Sequence, residues 1–177
     1  KIIKTTDAEF RAKSVIIATG AKPMQLGVKG EKEFVGRGVS YCAVCDAAFY
    51  KDKVVTVVGG GNSALEEAMY LTKFASKVYL IHRRDELRAD KIIQQRAFNT
   101  EKLEFIFDTV VEEIVGDDLV RRLKIKNVKT GEVSELQTNG IFPYIGIRPN
   151  VEHINGQIEQ DKDGFIMTDV TMKTSIV

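Results

Sequence analysis

Apolar and polar positions alternate along this chain in blocks that change period several times. Lys1–Lys4 and Ser14–Ala18 read as the two strands of a hairpin around the polar stretch "TTDAEFRAK", and "ATGAKP" closes the second with Gly20 and Pro23. Residues 25–38 carry glycines without a period and read as a linker. A short helix is expected over 42–50. Lys53–Val58 is a continuous β-branched run, as in a parallel strand buried on both faces. After Gly59-Gly60-Gly61, the residues Ala64, Leu65, Ala68, Leu71, Thr72 and Ala75 recur at helical spacing. Lys77–His82 is the next strand, so strand, turn, helix and strand make a βαβ unit of about 30 residues. A second amphipathic helix is expected from Arg88 to about Phe98, then a strand over Leu103–Phe107. Leu119–Asn127 and Glu132–Leu136 flank "VKTGE", where Gly131 permits an antiparallel turn. Gly140–Ile145 reads as a further strand, "GIRPN" as a loop, and Phe165–Thr168 as a strand after the turn "DKDG". The fold class is therefore α/β, a Rossmann-like βαβ domain with a parallel sheet plus an antiparallel hairpin or meander.

Composition narrows the function classes. Of 177 residues, 44% are hydrophobic and 29% charged, an ordinary globular balance. The 26 Lys and Arg against 25 Asp and Glu leave no basic excess to attract nucleic acid, and the arginines at 83, 84, 88, 121 and 122 are scattered among acids. The apolar runs are strand-sized, far short of the ~20 residues that span a bilayer. Neither nucleic acid nor a membrane is expected as a partner. The abrupt first and last residues suggest a piece of a longer chain. Two cysteines are too few for a disulfide-stapled secreted scaffold and fit a cytoplasmic protein whose thiols do chemistry.

The turn Gly59-x-Gly61-x-x-Ala64 follows a strand and opens a helix, the setting of a dinucleotide fingerprint. Gly59 allows the tight turn, Gly61 allows the backbone to approach a pyrophosphate, and small Ala64 lets the helix pack close to the strand. The helix N-terminus offers unpaired N–H groups to phosphate. The next strand ends in His82-Arg83-Arg84, with Arg88 one helical turn on. An acidic residue there would take the ribose hydroxyl of NAD, whereas arginine forks match the 2′-phosphate of NADP. The rival reading gives the ribose to Asp85 or Glu86 and leaves the arginines as a solvated face.

Cys42-Ala-Val-Cys45 has the spacing of a redox dithiol. Half a zinc site lacks its second pair, since the histidines, His82 and His153, lie far off in sequence. Two buried structural cysteines are the plainer alternative. Asp46 is a candidate proton carrier for thiolate exchange, a role compatible with capping a helix. Hydride from NADPH does not readily reach a disulfide unaided, so the two motifs together call for a flavin. No flavin fingerprint lies in these residues.

Taken in order, "SVIIATGA", "CAVCD", "VVGGGNSALEEA", "HRRDELRA" and "GIFPYIGIRPN" make the chain resemble the low-molecular-weight thioredoxin reductases over essentially all of its length. That resemblance implies FAD and NADPH as cofactors and thioredoxin or a thioredoxin-like protein as partner. It implies an NADPH-binding domain at 23–145 and partial FAD-binding segments at 1–22 and 146–177. Cys45 would face the flavin and Cys42 would attack the thioredoxin disulfide, with Asp46 as acid and base. Gly61, Asn62, Ser63 and Ala64 would hold the pyrophosphate, and His82, Arg83, Arg84 and Arg88 the 2′-phosphate. In that family the NADPH domain rotates so that dithiol and nicotinamide alternate at one flavin, and the full-length enzyme is commonly a homodimer. Ala47 stands where the family usually has Gly, and Ala48 precedes Phe49 where an aromatic pair is common. With the family's N-terminal FAD fingerprint and C-terminal segment outside the chain, it is expected to bind NADPH without turnover. The alternatives are the reductase portion of a peroxiredoxin-reducing flavoprotein and a non-catalytic NADP-binding module.

Overall fold

The computed structural model describes every residue except Asn155 and Val177. The chain separates into two compact units, one formed by Pro23–Ile147 and the other by Lys1–Lys22 with the residues from Arg148 onward.

The larger unit is organised by a four-stranded parallel sheet. The elements in chain order are α1 (Ala43–Asp46), β4 (Val54–Gly59), α2 (Asn62–Leu71), β5 (Lys77–Ile81), α3 (Lys91–Phe98), β6 (Leu103–Ile106), β7 (Thr109–Gly116), β8 (Val120–Asn127), β9 (Val133–Gln137) and β10 (Gly140–Tyr144). Strand order is β10-β4-β5-β6, with β7-β8-β9 forming a separate antiparallel sheet. A strand buried on both faces must be apolar throughout, and the residues sort by parity onto two cores. Val55 and Val57 of β4, Val78 and Leu80 of β5 and Phe142 of β10 join Leu65, Ala68 and Leu71 of α2 and Ile93 and Ala97 of α3. Val58, Ile81 and Ile141 join Val111, Ile114, Leu123 and Ile125 of the antiparallel sheet on the opposite face. The α/β expectation of a parallel sheet with an antiparallel meander is met.

Local boundaries differ from the pattern for identifiable reasons. Strand β7 lacks a clean alternation because its register shifts between Val111 and Glu113. The bulge turns both adjacent glutamates toward partners, Glu112 to Lys124 and Lys126, and Glu113 to Lys29. Helix α3 begins at Lys91 rather than Arg88, because the Arg88 and Ala89 N–H groups donate to the Gly60 carbonyl, at 2.7 and 3.0 Å.

The smaller unit contains the hairpin of β1 (Ile2–Lys4) with β2 (Glu9–Arg11). Ser14–Ala18, expected as a strand, is irregular, with Ile16 92% exposed. An extended apolar run becomes a strand only beside a pairing partner, and none lies along it among the described residues. Phe165–Thr168 likewise fails to form a strand and contributes only an isolated bridge, Gln160 to Ile166. Conversely the "GIRPN" loop includes a short strand β11 (Ile147–Pro149), paired with β3 (Ala21–Pro23).

Candidate functional site: a glycine turn beside a cysteine pair

The turn between β4 and α2 is shaped by what glycine leaves out. A β-carbon on Gly59 would fall 2.7 Å from the Ala64 Cβ and against the Tyr144 carbonyl, so Gly59 and Ala64 together allow the helix to approach the sheet. A β-carbon on Gly60 would strike the His82 ring. One on Gly61 would meet nothing within 4 Å. Gly61 is the N-cap of α2 and no side chain caps that terminus, so the first N–H groups of the helix face an approachable surface.

The segment after β5 is tied to this turn. Asn62 and Asp90 clasp each other, the Asn62 amide donating to Asp90 Oδ2 and the Asp90 N–H donating to Asn62 Oδ1, each at 2.8 Å. The Asn62 side chain is thus used to brace the turn, while Ser63 is exposed. His82 is 5% exposed, its Nε2 donating to the Glu86 carbonyl at 3.1 Å. Burial pushes its imidazole below the ordinary value, with Arg88, Arg83 and Arg84 pushing the same way against the Glu86 hydrogen bond. The structure therefore buries His82 beneath the turn, whereas Arg83, Arg84 and Arg88 are exposed. The arginine ion pairs among the described residues are Arg121 with Asp117 and Arg122 with Glu135, and none involves Arg83, Arg84 or Arg88.

Asp85 follows the arginine pair directly. Its carboxylate is engaged by Lys129 Nζ at 2.7 Å, and that hydrogen bond holds it below the ordinary carboxylate range.

Cys42 and Cys45 form a disulfide across the first turn of α1, with Cys42 half-buried as the N-cap and Cys45 exposed. Helix α1 packs on α2, and its Ala43 shares a core with Ala64. The Ala43 N–H donates to the Tyr144 hydroxyl at 2.8 Å. Burial pushes the Tyr144 phenol up, and Asp46 is among the carboxylates that add to it. Exposed Val44 and Phe49, 61% and 72% accessible, lie on either side of Cys45 and Asp46 in sequence. Upstream, the Glu31 carboxylate is 1% exposed and accepts from Leu26 N–H, Gly27 N–H and the Tyr41 hydroxyl, at 2.8, 2.7 and 2.9 Å. It thereby fixes the residue preceding Cys42. Among the described residues, no group of three or more His, Cys, Asp or Glu is placed to hold a metal ion, and no helix is long and apolar enough to cross a membrane.

The Cys42–Cys45 disulfide and the open glycine turn thus share one helix-on-sheet body. The model of the family described as "Pyridine nucleotide-disulphide oxidoreductase" matches residues 1–177. The chain belongs to the pyridine nucleotide-disulphide oxidoreductase family. Within it, the chain is similar to a thioredoxin reductase of Peptoclostridium litorale, 52% identical over 99% of this chain and 58% of that protein. It is 48% identical to a thioredoxin reductase of Bacillus subtilis over 99% of this chain and 56% of that one. A solved thioredoxin reductase of Lactococcus lactis superposes with a TM-score of 0.91 at 52% identity, covering 99% of this chain and 58% of its own. The chain spans a little over half the length of the curated relatives it matches.

The residues that the motifs alone did not single out are Gly60, Asp90, Tyr144, Lys129 and Glu31. Asp90 and Tyr144 sit inside or beside quoted motifs. Lys129 and Glu31 act across long sequence separations that no local pattern reveals.

Proposed function

We propose that this chain carries the NADPH-binding and dithiol part of a thioredoxin reductase, in which electrons pass from NADPH by way of FAD to the Cys42–Cys45 disulfide and on to thioredoxin. The observation that carries this reading is the presence, on one compact unit, of the disulfide at α1 and the uncapped N-terminus of α2, with Arg83, Arg84 and Arg88 forming no ion pair among the described residues. The turn fits a dinucleotide: the space beyond Gly61 is clear, and the pyrophosphate would lie against the N–H groups of Asn62, Ser63 and Ala64. Arg83, Arg84 and Arg88 would take the 2′-phosphate, and His82 would set the floor of the turn.

FAD, when bound by the complete protein, supplies a hydride acceptor that releases electrons onward. At the disulfide, two electrons and two protons convert Cys42 and Cys45 to thiols. The Cys42 thiolate then attacks one sulfur of the partner disulfide, forming a mixed disulfide and releasing the partner's other sulfur as a thiolate. The Cys45 thiolate attacks Cys42, restores the intramolecular disulfide and frees the second partner sulfur. Asp46, adjoining Cys45, holds and delivers a proton in these exchanges. Val44 and Phe49 give the partner an apolar contact beside the disulfide. The domain reading keeps 23–145 for NADPH and assigns 1–22 and 146–177 to the FAD side, in a full-length homodimer of the cytoplasm.

Calorimetric titration of NADPH and of NADH into the chain and into Arg83→Ala/Arg84→Ala tests the cofactor assignment. NADPH should bind more tightly than NADH, with the preference lost in the variant. Equal binding of both nucleotides by the folded wild-type chain would remove the NADP assignment.

A further inference from the structure

Asp85 presents a problem for an arginine-lined phosphate seat. It directly follows Arg83-Arg84, in the region where an acidic side chain would receive the ribose 2′-hydroxyl of NAD and repel a 2′-phosphate. The structure neutralises it from a distant part of the chain. Lys129 Nζ lies 2.7 Å from Asp85 Oδ2 and 3.0 Å from Asp108 Oδ2. The lysine is fixed at its base, its N–H donating to Asn127 Oδ1 at 2.9 Å, and the neighbouring Val128 N–H donates to the Asp108 carbonyl at 2.6 Å. Asp108 in turn donates its N–H to the Arg84 carbonyl at 3.3 Å. The chain therefore closes a ring, Arg84 to Asp108 to Lys129 to Asp85, that returns to the arginine pair.

We infer that Lys129 is a specificity-determining positioning residue: it holds Asp85 in an ion pair away from the nucleotide and so lets Arg83 and Arg84 select the 2′-phosphate. This rests on the NADPH reading above. Stability is not the point of the pair, since Lys129 and Asp85 are both well exposed and such bridges contribute little to folding. What the lysine changes is the amount of negative charge beside the arginines, which it lowers by pairing with both Asp85 and Asp108. With Lys129 in place, Asp85 is compensated; without it, a free carboxylate would stand next to the site and favour the dinucleotide that lacks the phosphate.

The test is calorimetric titration of NADPH and NADH into the wild-type chain, Lys129→Met, Lys129→Arg and Lys129→Met/Asp85→Asn. Lys129→Met should lower the NADPH-to-NADH affinity ratio on the order of two- to fivefold, the range of a lost exposed charge pair. Lys129→Arg should keep the ratio, and the double variant should restore it, because the offending carboxylate is gone. An unchanged ratio in Lys129→Met overturns the inference. So does a loss that persists in the double variant, which would make Lys129 itself a phosphate contact. A wild-type chain with no preference for NADPH would instead sink the cofactor reading and this inference together, so the two failures are distinguishable.

Discussion

The Tyr144 hydroxyl accepts the Ala43 N–H at 2.8 Å, joining the end of β10 to the first residue of the helix that carries the disulfide. The Tyr144 carbonyl lies where a β-carbon on Gly59 would clash. One residue therefore touches both the cysteine helix and the glycine turn. Tyr144→Phe removes an acceptor from a helix N-terminus and should cost about 1–2 kcal/mol. Reduction of Cys42–Cys45 by dithiothreitol should also quicken as α1 loosens. Unchanged urea midpoint and reduction rate would show that the hydroxyl does not hold the helix.

Gly60 and Gly61 of the turn should separate by substitution. Gly60→Ala drives a methyl into the His82 ring and should destabilise the chain by about 1–3 kcal/mol, the usual range for overpacking. Gly61→Ala adds a methyl to open space and should leave the denaturation midpoint nearly unchanged while weakening NADPH binding at least tenfold. If both variants lose the same stability, the turn does not distinguish packing from ligand approach as described.

His82 should make stability sensitive to mild acid. Its pKa is depressed in the folded chain, chiefly by burial, so the native state holds fewer protons there than the unfolded state. Its contribution is present above the unfolded value of about 6.5 and is lost as pH falls through the folded value, with a slope of at most about 1.4 kcal/mol per pH unit. Urea midpoints from pH 7.5 down to 5.5 should fall more steeply for the wild type than for His82→Gln. Parallel curves would contradict the depressed value.

Glu31→Ala should be among the most damaging single changes in the larger unit. It would remove the acceptor of Leu26 N–H, Gly27 N–H and the Tyr41 hydroxyl, which are only partly shielded from water, at a cost of roughly 1–3 kcal/mol. Glu31→Gln, which keeps one acceptor oxygen, should recover part of this. A thermal melt of Glu31→Ala that matches the wild type would show the cluster to be dispensable.

Much of this architecture was legible along the chain. Val54–Gly59 and Lys77–Ile81 announce themselves because buried parallel strands admit only apolar, mostly β-branched residues, and the turn between them needs glycine at specific points. The same logic, spacing tied to a chemical duty, singles out Cys42, Cys45, Gly59, Gly61, Arg83 and Arg84 as candidates, and of these the structure shows the Cys42–Cys45 disulfide and the close packing at Gly59. Position 82 carried a weaker signal: a histidine beside arginines reads as part of a cationic cluster, and only packing reveals that its ring lies under Gly60. Strand β7 was hidden because a bulge interrupts its period, and Ser14–Ala18 has strand composition without a strand's partner. Lys129 was invisible because the distance that matters, to Asp85, spans 44 positions.

The contacts made by Gly60 and Asn62 bear on how portable the fingerprint is. The Gly60 carbonyl receives the N–H groups of Arg88 and Ala89, and Asn62 is locked to Asp90, so the loop is an assembly of two chain segments rather than a self-contained cassette. Grafting "GGGNSA" alone onto another strand-helix junction would transplant the letters of the motif without its scaffolding; a transferable unit has to extend through Asp90.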